Sequence, residues 1–194
     1  LRYLDVEPAQ HNLAWAHAAE GIVWSHHHDV EATVESIAAV MPDQADAYRR
    51  YCRDAMPAIR MIFEAAAAPP SVRGLTTLAL RRRLAGAPTL LRWSRRSAAD
   101  VLRSYFSHEA ILGPGGVSGP MVWGITPETP GTGLGALTHA MRHVSTVGRP
   151  IGGSGEVPRT LLAALVAAGG EVRLKSQVDS IMCEGDRVRG VGLV

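Results

Sequence analysis

The segment Gly148 to Val194 restricts the fold of this chain more than any other, because three of its features each allow one local structure. Gly152, Gly153 and Gly155 free the backbone for positive φ or for close approach to another group. Pro158 suits the first turn of a helix, where its missing N–H costs little. Leu161, Leu162, Leu165 and Val166 then recur at helical spacing, and Gly169-Gly170 stops the helix. Three apolar clusters follow: Val172 with Leu174, Val178 with Ile181, and Val188 with Val191 and Leu193. The turn residues Glu184-Gly185-Asp186 stand between the last two. A glycine loop, a helix and three short strands are expected, the last two strands forming a hairpin.

The chain before this segment reads as mainly helical. Short strands are expected over residues 1–28: Leu4 and Val6 before Pro8, then Leu13 and Trp15, then Ile22, Val23 and Trp24 after the turn at Glu20-Gly21. Asp29 is placed to cap a helix from Val30 to Val40, and Pro42 to open a longer one. On that second helix Tyr48, Tyr51, Cys52, Ala55, Ile59, Ile62 and Phe63 form one apolar stripe, with Pro57 as a kink and Pro69-Pro70 as the stop. The stripe reads as core or as the wall of an apolar channel. Ser97 is expected to cap a helix carrying Val101, Leu102, Tyr105 and Phe106. Another helix is expected from Ser107 to the Gly113-Pro114-Gly115-Gly116 run, then a strand at Met121–Ile125 and a helix from Leu137 to Val147.

Charge is uneven although the net value is only +2. Residues 48–110 hold twelve arginines against four acids, with Arg81-Arg82-Arg83 and Arg92, Arg95 and Arg96 among leucines. A basic amphipathic helix of this kind lies on an anionic membrane surface, or is a solvated face whose arginine stems cover apolar neighbours. No nucleic-acid-binding module accompanies the basic residues, so no nucleic-acid partner is expected. No apolar run reaches the roughly 20 residues a spanning helix needs, and no secretory pattern opens the chain. Cys52 and Cys183, the only cysteines, are too few for a disulfide framework or a zinc cluster. Reduced thiols in a cytoplasmic setting are expected, with peripheral membrane contact as the variant reading.

Three sequence motifs invite a site and are weighed against plainer readings. His26-His27-His28-Asp29 could aim only His26 and His28 to one strand face, with His17 or Asp29 nearby, in a set suited to zinc or iron. A polar strand end leading into a helix cap is the preferred reading, and no metal ligand is assigned. Gly131-Thr132-Gly133-Leu134-Gly135-Ala136 matches a G-x-G-x-x-A phosphate loop in letters. Pro127 and Pro130 intervene where a true fingerprint turns straight from strand to helix, so a plain loop is preferred. His139 and His143 stand four apart without the glutamate of H-E-x-x-H, and at most face a substrate cavity.

The order PxGGxGxxPxxLxxxLxxxGGEVRxxxxVxxIxxxxxRVxGVxL, from Pro150 to Leu193, resembles the middle of phytoene-dehydrogenase-like flavoproteins, within the wider family of FAD-dependent amine oxidases and carotenoid desaturases. The resemblance implies residues 1–147 as a substrate-binding cap and 148–194 as part of an FAD-binding, Rossmann-like domain. It implies that the backbone of Val178 lies against the FAD adenine, and that Gly152, Gly153 and Ser154, after Arg149, form a wall on the flavin side. It further implies a flavin that takes hydride from an apolar substrate. The family's glycine fingerprint is not in this chain. The first residue is Leu1 and the last, Val194, falls in an apparent strand, so a fragment is expected, inactive alone. The expected fold class is therefore α+β, a mainly helical cap with a few antiparallel strands beside an incomplete nucleotide-binding edge, with Val172–Leu174 as an exposed strand of it. The competing expectation is a non-enzymatic module that binds an apolar ligand or a membrane surface. Substrate, catalytic residues and oligomeric state are not legible in the sequence.

Overall fold

A computed structural model describes residues 2–5, 14–17, 21–67, 69, 71–81, 84–145 and 148–194. Val6, Pro8, Leu13, Glu20, Pro70, Arg82, Arg83 and Val147 lie outside the described residues, as do the side chains of Trp15 and His17. The chain is α+β, and its described strands form two-stranded pairs. It divides into two compact units, Asp5–Gly148 and Arg149–Val194 with Leu1–Leu4.

The larger unit is built on one long helix. β2 (Ala14–His17) and β3 (Ile22–Ser25) form an antiparallel hairpin; β1 (Tyr3–Asp5), before them in the chain, goes mainly with the smaller unit. α1 (Val30–Ala38) starts where expected, with the Asp29 carboxylate accepting from the Ala32 N–H at 2.9 Å. α2 (Pro42–Ala66) opens on its proline and runs through Pro57. Its buried face carries Tyr48, Tyr51, Cys52, Ala55, Ala58 and Ile59, a stripe at i, i+3, i+4 and i+7. Ile62 and Phe63, assigned to the same stripe, are instead substantially exposed.

Shorter elements wrap this helix. The arginine-rich region forms not one amphipathic helix but two, α3 (Val72–Arg81) and α4 (Ala87–Trp93). Gly86 breaks them apart at φ 91°, and a Cβ there would lie 2.6 Å from the Pro57 carbonyl. The site demands glycine twice, for conformation and for contact. Trp93 then stacks on Tyr51, rings 6.0 Å apart at 12°. α5 (Ala98–Arg103) is capped by Ser97, whose hydroxyl accepts from the Asp100 N–H at 3.0 Å. α6 (Glu109–Val117) continues through Gly113-Pro114-Gly115-Gly116 and ends beyond it, with Pro114 inside the helix and Gly115 and Gly116 packed closely. A Cβ on Gly115 would meet Leu102 at 3.0 Å.

Met121–Ile125, expected as a strand, lies across a 3-10 helix, Pro120–Trp123, closed by Gly124 in the left-handed region. Proline at its first position and glycine at its end override the apolar run. The expected helix from Leu137 is also a 3-10 helix and begins earlier, at Gly133, running to His143. Side chains three apart eclipse in such a helix. Gly133, Ala136 and His139 therefore form one buried column, and Leu137 and Ala140 lead to His143 in the next.

The smaller unit holds β4 (Gly148–Pro150), paired with β1, then α7 (Glu156–Ala167), β5 (Val178–Glu184) and β6 (Arg187–Leu193). β5 and β6 form the expected hairpin, Glu184 opposite Arg187 and Gly185 at φ 57° in the turn. Val172–Leu174 is not a strand: it has no ladder partner among the described residues, and both side chains are exposed. No residue of α7 is buried.

Candidate functional site

Two places carry chemistry, one in each unit. In the smaller, the glycine loop has Gly152 at φ 96° and Gly153 at φ 92°, conformations that glycine alone adopts without strain. The Gly153 N–H donates to the Pro150 carbonyl at 3.0 Å, and the Glu156 N–H to the Gly153 carbonyl at 3.1 Å. A Cβ on Gly152 would touch the Glu156 side chain at 2.8 Å, whereas Gly153 faces open space. Glu156 is also paired with Arg159. Glu156 in the first turn of α7 is thus engaged by Arg159 and complements the positive end of the helix dipole. Ser154 is exposed. Val178, half-exposed at 52%, opens β5 opposite Leu193. β5 pairs only with β6 among the described strands, so its other edge is free for a planar group to hydrogen-bond.

The larger unit holds a buried cluster that the sequence did not announce. His26 leaves β3 and is buried, and its Nε2 lies 2.8 Å from Tyr48 Oη and 3.3 Å from His143 Nε2. Tyr48 Oη is 2.9 Å from the same His143 nitrogen. The protons can be placed from the partners. His143 Nδ1 donates to the His28 carbonyl at 3.0 Å, which leaves Nε2 of the neutral ring an acceptor. Tyr48 therefore donates to His143, and His26 Nε2–H donates to Tyr48. Burial lowers the affinity of both imidazoles for a further proton, most strongly at His26, where neighbouring His139 and His143 add repulsion. Burial likewise pushes the Tyr48 phenol well above its usual range.

His139 sits edge-on to this cluster, its ring 5.4 Å from His26 and 5.9 Å from Tyr48. Its Nε2 is buried without a hydrogen-bond partner, and burial holds its pKa at about 3. It thus faces the core and no substrate cavity. His28 turns away from His26, its Nδ1 donating to the Arg142 carbonyl at 3.3 Å, and Asp29 is spent on the α1 cap. The sequence pairing of His26 with His28 is replaced by His26 with His143, 117 residues away. Among the described residues no group of three or more His, Cys, Asp and Glu side chains gathers as a metal cage.

Gly131–Ala136 is no phosphate cradle. The N–H groups of Gly131 and Gly133 both donate to the Arg96 carbonyl, at 3.1 and 2.9 Å, and that of Gly135 donates to the Thr132 carbonyl at 2.7 Å. A Cβ on Gly133 would lie 2.1 Å from the Trp93 carbonyl oxygen. These glycines let backbone segments touch, and their donors are already used.

A cleft of about 530 Å³ opens between α5, α6 and the 3-10 helix at Pro120–Trp123. Leu102, Leu112, Met121 and Ile125 give it an apolar lining, and Arg103 pairs with Glu128 at its rim, 3.6 Å apart. Val122 and Trp123, the latter 77% exposed, project beside it. Among the described residues no helix is long and apolar enough to cross a membrane. Cys52 is buried, its thiol pushed up to about 12 by desolvation, and Cys183 is exposed. Comparison of the chain with protein-family models finds no matching family, and comparison with curated proteins finds no match.

Proposed function

We propose that this chain is part of an FAD-dependent oxidoreductase, a dehydrogenase or desaturase acting on an apolar substrate, to which it contributes a helical substrate-binding region and an edge of the cofactor domain. The observation that carries this reading is the uncovered apolar surface of the glycine-loop unit. Leu161, Leu162, Leu165 and Val166 on α7, and Ile181, Val191 and Leu193 on the hairpin, are all exposed. A short helix and a two-stranded hairpin are each marginal alone and gain their stability by burying such faces. These faces fit one layer of a larger α/β domain, as the Pro150–Leu193 resemblance implies.

The residues present fit two ends of the cofactor and not its middle. The free edge of β5 at Val178 suits the adenine, and Gly152, Gly153 and Ser154 suit an uncharged ring wall. Among the described residues there is no cradle for the pyrophosphate, so weak FAD binding by the chain alone is expected. When bound, the flavin supplies the hydride acceptor. The apolar cleft would hold the substrate and keep water out. The visible absorption spectrum of the protein purified from its full reading frame tests this. Flavin bands support the proposal. A colourless protein that takes up no added FAD overturns it.

The second reading, a module that binds an apolar ligand or a membrane surface without redox chemistry, is favoured by the apolar cleft beside Trp123. Trp123 fluorescence separates the two. A blue shift on vesicles or on a long-chain fatty acid, in a protein that never takes up FAD, selects the module.

A further inference from the structure

We propose that His26, His143 and Tyr48 form a site for a divalent transition metal of the zinc type. This inference stands apart from the flavin reading and uses residues of the larger unit only. Two imidazoles bound to one tetrahedral metal at about 2.0–2.1 Å place their nitrogens about 3.3–3.4 Å apart. His26 Nε2 and His143 Nε2 stand at 3.3 Å. The same geometry sets the ring centroids about 5.2 Å apart, and the two rings are 4.9 Å apart here. Tyr48 Oη closes a triangle with sides of 2.8 and 2.9 Å. A point about 2.0–2.1 Å from all three donors lies about 1 Å out of their plane, as in a three-ligand site with an open fourth position.

His143 is already oriented for this role. Its Nδ1–H is held by the His28 carbonyl, the outer hydrogen bond that fixes the tautomer of a metal-bound histidine and leaves the Nε2 lone pair directed inward. His143 is only partly buried, which gives the ion a way in. A set of two imidazoles and a phenolate suits zinc, copper or iron rather than calcium or magnesium. On binding, the Tyr48 O–H bond breaks and its proton leaves to solvent as Oη bonds the metal. The His26 proton moves from Nε2 to Nδ1. One proton is released per ion, and no electron is transferred.

The test is titration of the whole chain with Co²⁺ and Zn²⁺ in a Cys183→Ser background, which removes the exposed thiol. One equivalent of Co²⁺ is expected to give visible d–d bands of tetrahedral intensity, displaced by Zn²⁺, with one proton released when the calorimetry is repeated in buffers of different ionisation enthalpy. Affinity is expected to fall at least tenfold in His143→Gln and in Tyr48→Phe. Absence of binding at about 1 mM metal, or unchanged affinity in both variants, overturns the site. If a variant is unfolded by circular dichroism, X-ray absorption of the zinc-loaded wild type decides. Two imidazole scatterers support the site, and oxygen scatterers alone overturn it.

Discussion

Tyr48 decides how the His26–His143 pair is satisfied. In Tyr48→Phe, the buried His26 nitrogen and the partly buried His143 nitrogen lose a partner 2.8 and 2.9 Å away, which is expected to destabilise the metal-free fold by about 1–3 kcal/mol, read from urea unfolding. His139 gives a second prediction. Its folded pKa of about 3 lies below the ordinary 6.5, so the unfolded chain binds a proton that the folded chain refuses. Stability is therefore unaffected by this group above pH 6.5. It falls as pH drops from 6.5 toward 3, by up to about 1.4 kcal/mol per unit. His139→Gln is expected to flatten that part of the pH–stability curve, and an unchanged slope counts against the assignment. At this scale the sequence was a poor guide. Asp29 and Ser97 were readable as caps because a cap is a local hydrogen bond. The His26–His143 contact was not, because it depends on how β3 meets a helix over a hundred residues later.

At the scale of elements, the glycines separate backbone contact from spare conformational freedom. Gly133→Ala places a methyl against the Trp93 carbonyl oxygen and is expected to cost about 1–3 kcal/mol or more, through forced displacement of α4 from the 3-10 helix. Gly113→Ala, with open space at its Cβ inside α6, is expected to be neutral or to gain up to about 1 kcal/mol. Thermal unfolding of the pair checks both signs at once. The same distinction explains which elements were legible. α1, α2, α7 and the β5–β6 hairpin follow from periodicity and turn residues. Met121–Ile125 and Val172–Leu174 read as strands because they are apolar, but a strand also needs a neighbour to complete its hydrogen bonds, and no partner for either is among the described strands.

At the scale of the whole molecule, burial is distributed unequally. The α2 face from Tyr48 to Ile59 is fully enclosed, whereas α7 and the hairpin bury almost nothing. Amide hydrogens in the middle of α2 are expected to exchange only through global unfolding. Those of α7 and β5–β6 are expected to exchange through local opening, at least tenfold faster. Hydrogen exchange followed by mass spectrometry measures this, and equal protection of the two regions contradicts the reading of an uncovered layer. If a flavin and the rest of a cofactor domain cover that layer, protection of α7 rises in the full-length protein.

Local spacing already specifies the α+β class, the Asp29 and Ser97 caps, the α2 core stripe from Tyr48 to Ile59 and the loop–helix–hairpin order of residues 148–194. Each of these depends on groups a few positions apart, whose geometry the backbone fixes. Only the tertiary contacts bring Gly86 against Pro57, occupy the N–H groups of Gly131 and Gly133, and make His26, Tyr48 and His143 converge. Those contacts join residues far apart in the chain, and nothing in the spacing of side chains along it specifies which distant atoms will share one buried space.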